Sequence, residues 1–279
     1  MPIASNMVGE RSYLAAAIQV CASSDRKENL DKAEDFVRLA ALRGARLIVL
    51  PELFAWRGAR EDEPAQSEPI PGPTSERMRH LAETLQVHLL AGSLLERSDE
   101  RRAYNTSILF GPDGSELARY RKLHLFDIDL KGHVTVRESD TRRPGQDIVL
   151  AHTALGTVGL AICYDLRFPE LFRALTRRGA EVIALPAAFT FPTGAAHWEI
   201  LLRARAIENL VYVIAPDQIG GSASGIVDYG HSLIIDPWGT VLAQAPDTEG
   251  IILAEIDLDR QVRLRRELPC LDHIRLPVD

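Results

Sequence analysis

The sequence predicts an α/β fold, and three observations carry that prediction. Short apolar runs of buried-strand length alternate with stretches of helical periodicity from residue 13 onward. The segment GARLIVLPELF (44–54) returns as GAEVIALPAAF (179–189), each copy following a helical stretch and each strand ending in Leu-Pro. Two such units argue for two similar βαβ halves with parallel strands and right-handed crossovers. Finally, no low-complexity linker separates the halves, so one domain is expected over 13–279, with residues 1–12 as a loosely ordered leader.

The elements follow in order. Tyr13–Cys21 is an apolar run of strand length. Asp25 and Glu28 form a capping box ahead of Leu30, Ala33, Val37, Ala40 and Ala41 at helical spacing, and Gly44 supplies the stop. Arg46–Leu50 is a buried strand halted by Pro51. A Pro-rich polar loop covers 57–73, and a helix starts near Thr74 with Met78, Leu81, Ala82 and Leu85 on one face. Strands are expected at Val87–Leu95, at Tyr104–Phe110 and, past the Gly-Pro-Asp-Gly turn, at Glu116–Tyr120. Residues 121–147 read as polar and irregular. Thr157–Cys163 is a strand leading to a helix at Pro169–Arg178. His197–Asn209 reads as a helix with Ile200, Leu201, Ala204 and Ile207 inward. Strands at Val211–Ala215, His231–Asp236, Thr240–Ala243 and Gly250–Ile256 complete the pattern, followed by a short helix.

Composition narrows the function. Hydrophobic residues at 46% and charged residues at 25% exclude a disordered, collagen-like or coiled-coil chain. The net charge of −7 argues against nucleic acid or an anionic membrane surface as the main partner, since both select basic patches. No apolar run approaches the roughly 18–20 residues of a membrane span, and no signal peptide is expected at the start. Cys21, Cys163 and Cys270 are an odd, widely spaced set, neither a disulfide framework nor a CxxC pair, which fits a reducing cytoplasm.

Of these three, Cys163 sits where a buried strand breaks toward a helix opened by Pro169. There backbone N–H groups and a helix dipole would stabilise a thiolate. The plainer reading of a cysteine is a small buried hydrophobe, but the polar residues that follow Cys163 place it where the strand leaves the core. Glu52 ends an otherwise apolar strand, where a carboxylate either caps a neighbour or serves as a base on a rigid frame. Lys122 lies in an alternating apolar segment and by default snorkels to the surface. Glu138 by default is an exposed loop carboxylate.

Together, Pro51-Glu52-Leu53, the run RKLHLFD (121–127) and the run CYDLRFPE (163–170) resemble the carbon–nitrogen hydrolases of the nitrilase superfamily. The likeness extends from about Tyr13 to the C-terminal tail and includes 188–209 and 229–241. It looks strongest to the branch of deaminated-glutathione amidases, with ω-amidases acting on 2-oxoglutaramate second. The resemblance implies a four-layer αββα sandwich, a homodimer, no cofactor and no metal, and a small-molecule amide as substrate. It implies Cys163 as nucleophile, Glu52 as general base, and Lys122 with the backbone N–H of Tyr164 as oxyanion partners. Glu138 is implied to orient the substrate nitrogen or Lys122.

A carboxylate-bearing substrate calls for an arginine fork, with Arg167, Arg203 and Arg205 as candidates. Phe189, Thr193 and His197, just past the second Leu-Pro, are expected to line the pocket. His197 is not expected to bind metal, because no second histidine follows at i+3 to i+5. Where the branch is expected to carry a basic residue before Tyr-Gly-His-Ser, this chain has Ile226. Trp198, Trp238 and the C-terminal segment serve an interface or the core. N-carbamoyl hydrolase or nitrilase chemistry stays open, as does a Cys–His enzyme pairing Cys163 with His124, His152, His197 or His231. A non-catalytic binding protein is the third class.

Overall fold

A computed structural model of the chain describes residues 11–99, 101–132, 134–223 and 225–276. The first half runs β1 (Ser12–Gln19), α1 (Arg26–Leu42) and β2 (Ala45–Val49), then short α2 (Glu63–Gln66) and α3 (Pro73–Leu85). Next come β3 (His88–Leu90), β4 (Leu94–Arg97), β5 (Ala103–Phe110) and β6 (Glu116–Arg121). A hairpin of β7 (Asp127–Leu130) and β8 (Val134–Arg137) leads to the two-residue strand β9 (Arg142–Arg143). The second half begins β10 (Leu150–Thr153), β11 (Gly156–Leu160), α4 (Pro169–Arg177) and β12 (Val182–Ala184). It continues with α5 (Phe191–Asn209), β13 (Tyr212–Ala215) and a second hairpin of β14 (Ile219–Gly221) and β15 (Val227–Tyr229). It closes with β16 (Leu233–Ile235), β17 (Val241–Gln244), β18 (Gly250–Asp257) and α6 (Leu258–Glu267).

The two halves build two sheets. One has the order β18-β1-β2-β3-β5-β4, with β6 and β9 also paired to β5, and the other has the order β10-β11-β12-β13-β16-β17. The two triplets β1-β2-β3 and β11-β12-β13 are parallel, which extends by one strand each the parallel pairs of the two expected βαβ units. Alternation along a strand sends successive side chains to opposite faces, and β1 shows where each face goes. Ala16 and Ile18 pack with Leu30, Ala33 and Val37 of α1 and with Met78 and Leu81 of α3. Ala15 and Ala17 face the other way, into a core shared with the second sheet and with Phe172, Leu175, Trp198 and Leu202 of α4 and α5. The layers are therefore helix, sheet, sheet, helix within one chain.

Several sequence expectations need correction. Val87–Leu95 is not one strand: it breaks at Gly92, whose φ of +41 and close approach admit no side chain, a Cβ there lying 2.0 Å from the Pro51 carbonyl. The loop 57–73 contains a 3-10 turn at Arg60–Asp62 and α2. Residues 121–147 hold the β7–β8 hairpin, a 3-10 turn at Glu138–Asp140 and β9. Short polar strands have weak hydrophobic alternation, which is why they escape pattern reading.

α5 begins at Phe191, ahead of the expected start, and its inward face is different. The Trp198 indole donates to the His231 carbonyl at 2.9 Å, and Trp198, Leu202, Arg205, Ala206 and Asn209 are buried. Ile200 and Ile207 instead point outward, 70% and 46% exposed. Trp198 is thus a core residue, whereas Trp238 is 60% exposed. Of the expected leader, residues 1–10 lie outside the described residues. Arg11 and Ser12 are integrated: Ser12 opens β1, and the Arg11 guanidinium bonds Glu181 at 2.8 Å.

Candidate active site

The ends of the parallel strands meet at one place, and the repeated Leu-Pro marks it. Glu52 follows β2, Cys163 follows β11, and Pro186 and Ala187 follow β12. The Glu52 N–H donates to the Ala187 carbonyl at 3.3 Å and the Cys163 N–H to the Pro186 carbonyl at 2.9 Å. The Gln218 amide donates to the Glu52 carbonyl at 2.9 Å while its own backbone N–H donates to Ala187 at 3.0 Å. The two halves are stitched by main chain at the point where the carboxylate and the thiol emerge.

A buried chain of alternating charge runs outward from Glu52. Lys122 Nζ is 2.9 Å from Glu52 Oε1 and 3.1 Å from Glu138 Oε2. Arg142 Nη1 donates to Glu138 Oε1 at 2.5 Å, and its Nε and Nη2 grip both Glu63 oxygens at 2.9 and 2.6 Å. Asn105, on β5, donates to Glu52 Oε1 at 2.6 Å, and its carbonyl accepts the Lys122 N–H at 2.9 Å. Lys122 and Glu138 are thus not surface groups, being 1% and 6% exposed. Burial alone would discharge Lys122, but the Glu138 and Glu52 carboxylates overcome it and hold its pKa above the usual lysine value. Burial likewise opposes ionisation of Glu138, yet Arg142 and Lys122 prevail and hold its pKa down at about 2.

Cys163 is 6% exposed and takes a left-handed backbone, φ 46, rare for a residue with a side chain. Such a conformation persists only when its surroundings impose it. Asp165 does so from below: Oδ2 accepts the Ile162 N–H at 2.8 Å and the Tyr120 hydroxyl at 2.7 Å, and Oδ1 accepts the His124 N–H at 3.1 Å. Arg205 donates twice to the Leu166 carbonyl, at 3.0 and 2.8 Å. The expected helix-dipole stabilisation of a thiolate does not hold. Cys163 opens a 3-10 turn that runs to Arg167, and α4 starts only at Pro169. Burial, reinforced by the Glu52 charge and only partly offset by Lys122, pushes the thiol pKa well above its ordinary value. The resting group is a thiol that needs a base.

The expected pocket residues separate into two groups. Arg167 lies over the rings of Phe189 (5.2 Å) and Tyr164 (5.8 Å) and 3.4 Å from Nδ1 of the exposed His197. Phe189 is buried, its N–H donating to Asp217 at 2.8 Å, and Tyr164 packs edge-on against Phe126 and Phe168. Thr193 is buried at the start of α5, 2.9 Å from the Thr190 hydroxyl. Two arginine candidates lie elsewhere: Arg203 pairs with Glu199 and the Gly239 carbonyl at the surface, and Arg205 belongs to the clasp under Cys163.

The histidines of the Cys–His alternative have other partners. His124 bonds Asp165 at 2.7 Å and stacks on Phe168, while His231 faces Asp247. Sequence reading missed Asn105, Arg142, Glu63, Asp165 and Gln218. Arg142 stands four residues after Glu138, and Asn105 interrupts an apolar strand, so each left a faint signal. Among the described residues no group of three or more His, Cys, Asp or Glu is arranged to hold a metal ion, and no helix is long and apolar enough to cross a membrane.

A four-layer sandwich with a Glu, a Lys and a Cys at converging strand ends defines a class. The chain belongs to the carbon-nitrogen hydrolase family, whose model matches residues 14–266, and is thus a hydrolase of carbon–nitrogen bonds in the nitrilase superfamily. It is 44% identical over 267 residues to the deaminated glutathione amidase of Synechocystis sp., covering 94% of this chain and 98% of that one. It is 40% identical over 258 residues to the omega-amidase NIT2 of Homo sapiens, covering 92% and 93%. Among solved structures it superposes on Saccharomyces cerevisiae Nit3, a member of branch 10 of the nitrilase superfamily, with a TM-score of 0.84 and 33% identity over 96% of this chain and 97% of that one.

Proposed function

We propose that the chain is a cysteine amidase that hydrolyses the terminal amide of a small carboxylate-bearing substrate of the deaminated-glutathione type. The observation that carries this reading is the buried Glu52–Lys122 pair beside a thiol whose pKa Glu52 raises and Lys122 lowers. Glu52 takes the thiol proton as the Cys163 sulfur attacks the amide carbon. Lys122 and the Tyr164 N–H receive the oxyanion of the tetrahedral intermediate. A positioned donor of this kind is worth about 3–4 kcal/mol. Collapse breaks the carbon–nitrogen bond, Glu52 passes its proton to the departing ammonia, and a thioester remains. Glu52 then deprotonates a water that attacks the thioester, releasing the acid and restoring the thiol. Glu138, held by Arg142, orients Lys122.

The identity to an omega-amidase supports a second reading, with 2-oxoglutaramate as substrate. We also propose a homodimer, supported by the outward apolar face of Ile200 and Ile207 on α5 near the exposed Trp238, and a cytoplasmic setting, supported by three free cysteines. Ammonia release from deaminated glutathione, 2-oxoglutaramate, N-carbamoyl-β-alanine and a simple nitrile separates the substrates. Loss of all release in Cys163→Ala is expected. Equal release from that variant and the parent would overturn the proposal.

A further inference from the structure

Two arginines near the buried charge chain have no partner of their own. The Arg60 side chain has neither a hydrogen bond nor an ion pair among the described residues, and its Nη1 is buried without a partner. The exposed Arg137 side chain likewise has none among the described residues. The contrast with their neighbours is sharp: Arg57 grips Asp228 at 2.8 Å, and Arg142 grips Glu63 and Glu138. The carboxylates nearest in charge to Arg60, Glu63 and Glu138, are already saturated. Glu63 accepts from Arg142 and Thr141, and Glu138 accepts from Arg142, Lys122 and the Phe126 N–H. A guanidinium nitrogen withdrawn from water without a counter-ion is costly, so the buried Arg60 Nη1 calls for an anion from outside, while Arg137 beside it is exposed.

Both arginines line one cavity of about 330 Å³, together with Thr135, Ile226 and the exposed carboxylates Glu61 and Asp140. Its walls are next to the buried charge chain along the sequence. Arg137 ends β8 and precedes Glu138, the residue that touches Lys122. Arg60 opens the 3-10 turn that leads to Glu63, the residue that holds Arg142. Ile226 also borders a second, apolar cavity of about 430 Å³ lined by Val134, Thr190, Phe191, Pro192 and Val227. Both cavities border Ile226 and β8, so a wall carrying Arg60, Arg137, Glu61 and Asp140 adjoins an apolar one.

We propose that Arg60, assisted by Arg137, binds the carboxylate of the amide substrate and so selects anionic amides. This rests on the amidase reading above and deepens it. It also accounts for Ile226, where a basic residue was expected: the charge is delivered from the Arg60 turn and the β8 hairpin, across the cavity from that loop.

The test compares glutaramate with its methyl ester, which differ in one negative charge. In the parent, kcat/KM is expected to favour glutaramate. In Arg60→Gln that preference falls about 10- to 100-fold, the size of a lost charge-assisted pair. Arg60→Lys restores part of it, and Arg203→Gln, which removes a surface arginine, keeps the parent preference. A preference in Arg60→Gln within twofold of the parent would overturn the assignment. Calorimetric binding of glutarate to Cys163→Ala reads the same site without turnover: weakening on adding Arg60→Gln supports it, and equal or absent binding counts against it. Failure of the parent to release ammonia from either probe strikes the amidase reading instead.

Discussion

Lys122 Nζ lies 2.9 Å from Glu52 Oε1, and both side chains are almost fully withdrawn from water. Asn105 donates to the same oxygen. The described hydrogen bonds to this carboxylate thus fall on Oε1, which leaves Oε2 for the proton transfer from Cys163 that we propose. In the proposed mechanism the lysine thus holds Glu52 in place as well as serving the oxyanion.

Glu52→Gln keeps the shape and removes the proposed base. The expected loss in kcat is about 10²- to 10⁴-fold. Removing the negative charge also lowers the Cys163 pKa, since Glu52 raises it. The pH at which iodoacetamide modifies Cys163, followed by mass spectrometry, shifts downward in this variant. Lys122→Met shifts it upward.

Glu138 carries a pH signature of its own. Its folded pKa of about 2 is depressed from 4.5, so its contribution to stability is full above pH 4.5 and disappears as pH falls toward 2. Glu138→Gln leaves Lys122 and Arg142 buried and undercompensated, an expected cost of about 3–5 kcal/mol near neutral pH. Thermal unfolding therefore shows a wide gap in Tm between parent and variant at pH 7. That gap narrows below pH 4.5.

Asp165→Asn removes the charge and turns one of the two carboxylate oxygens that gather Ile162, Tyr120 and His124 under the strained Cys163 turn into a donor facing donors. Loss of a buried charged acceptor costs about 1–3 kcal/mol. Steady-state kinetics is expected to show kcat reduced at least tenfold with KM little changed, because the thiol is misplaced and the substrate cavity is not. A change in KM alone contradicts this role.

Gly92→Ala tests how the strand end is shaped. The new Cβ meets the Pro51 carbonyl at 2.0 Å in a left-handed backbone, so Pro51 and Glu52 must shift. Strain of this kind costs about 1–3 kcal/mol. Tm and kcat are expected to fall together, and normal values of both would show that the segment is plastic.

The parallel triplets and the strand ends bearing Glu52 and Cys163 were legible because fully buried strands are long apolar runs with a hard stop. Lys122 and Glu138 were legible only through family resemblance. Read locally, each looks like a solvated charge, and only the fold brings the two within 3.1 Å of each other. Arg142, Glu63 and Asn105 stayed hidden for the same reason: their partners come from distant segments. The α5 face was misread because Ile200 and Ile207 look like core, whereas the Trp198 hydrogen bond sets the helix rotation. Cys163 was placed at its strand end, but the state of its thiol depends on burial and on Glu52, neither of which a local reading supplies.

The most direct test of the account is the identity of the covalent intermediate. Acid quenching of the parent during turnover of deaminated glutathione, followed by peptide mass analysis, is expected to find the acyl group on the peptide containing Cys163. Its mass should equal the substrate less ammonia, and it should be absent in Cys163→Ala. An acyl group on Cys21 or Cys270, or undiminished ammonia release by Cys163→Ala, would contradict it.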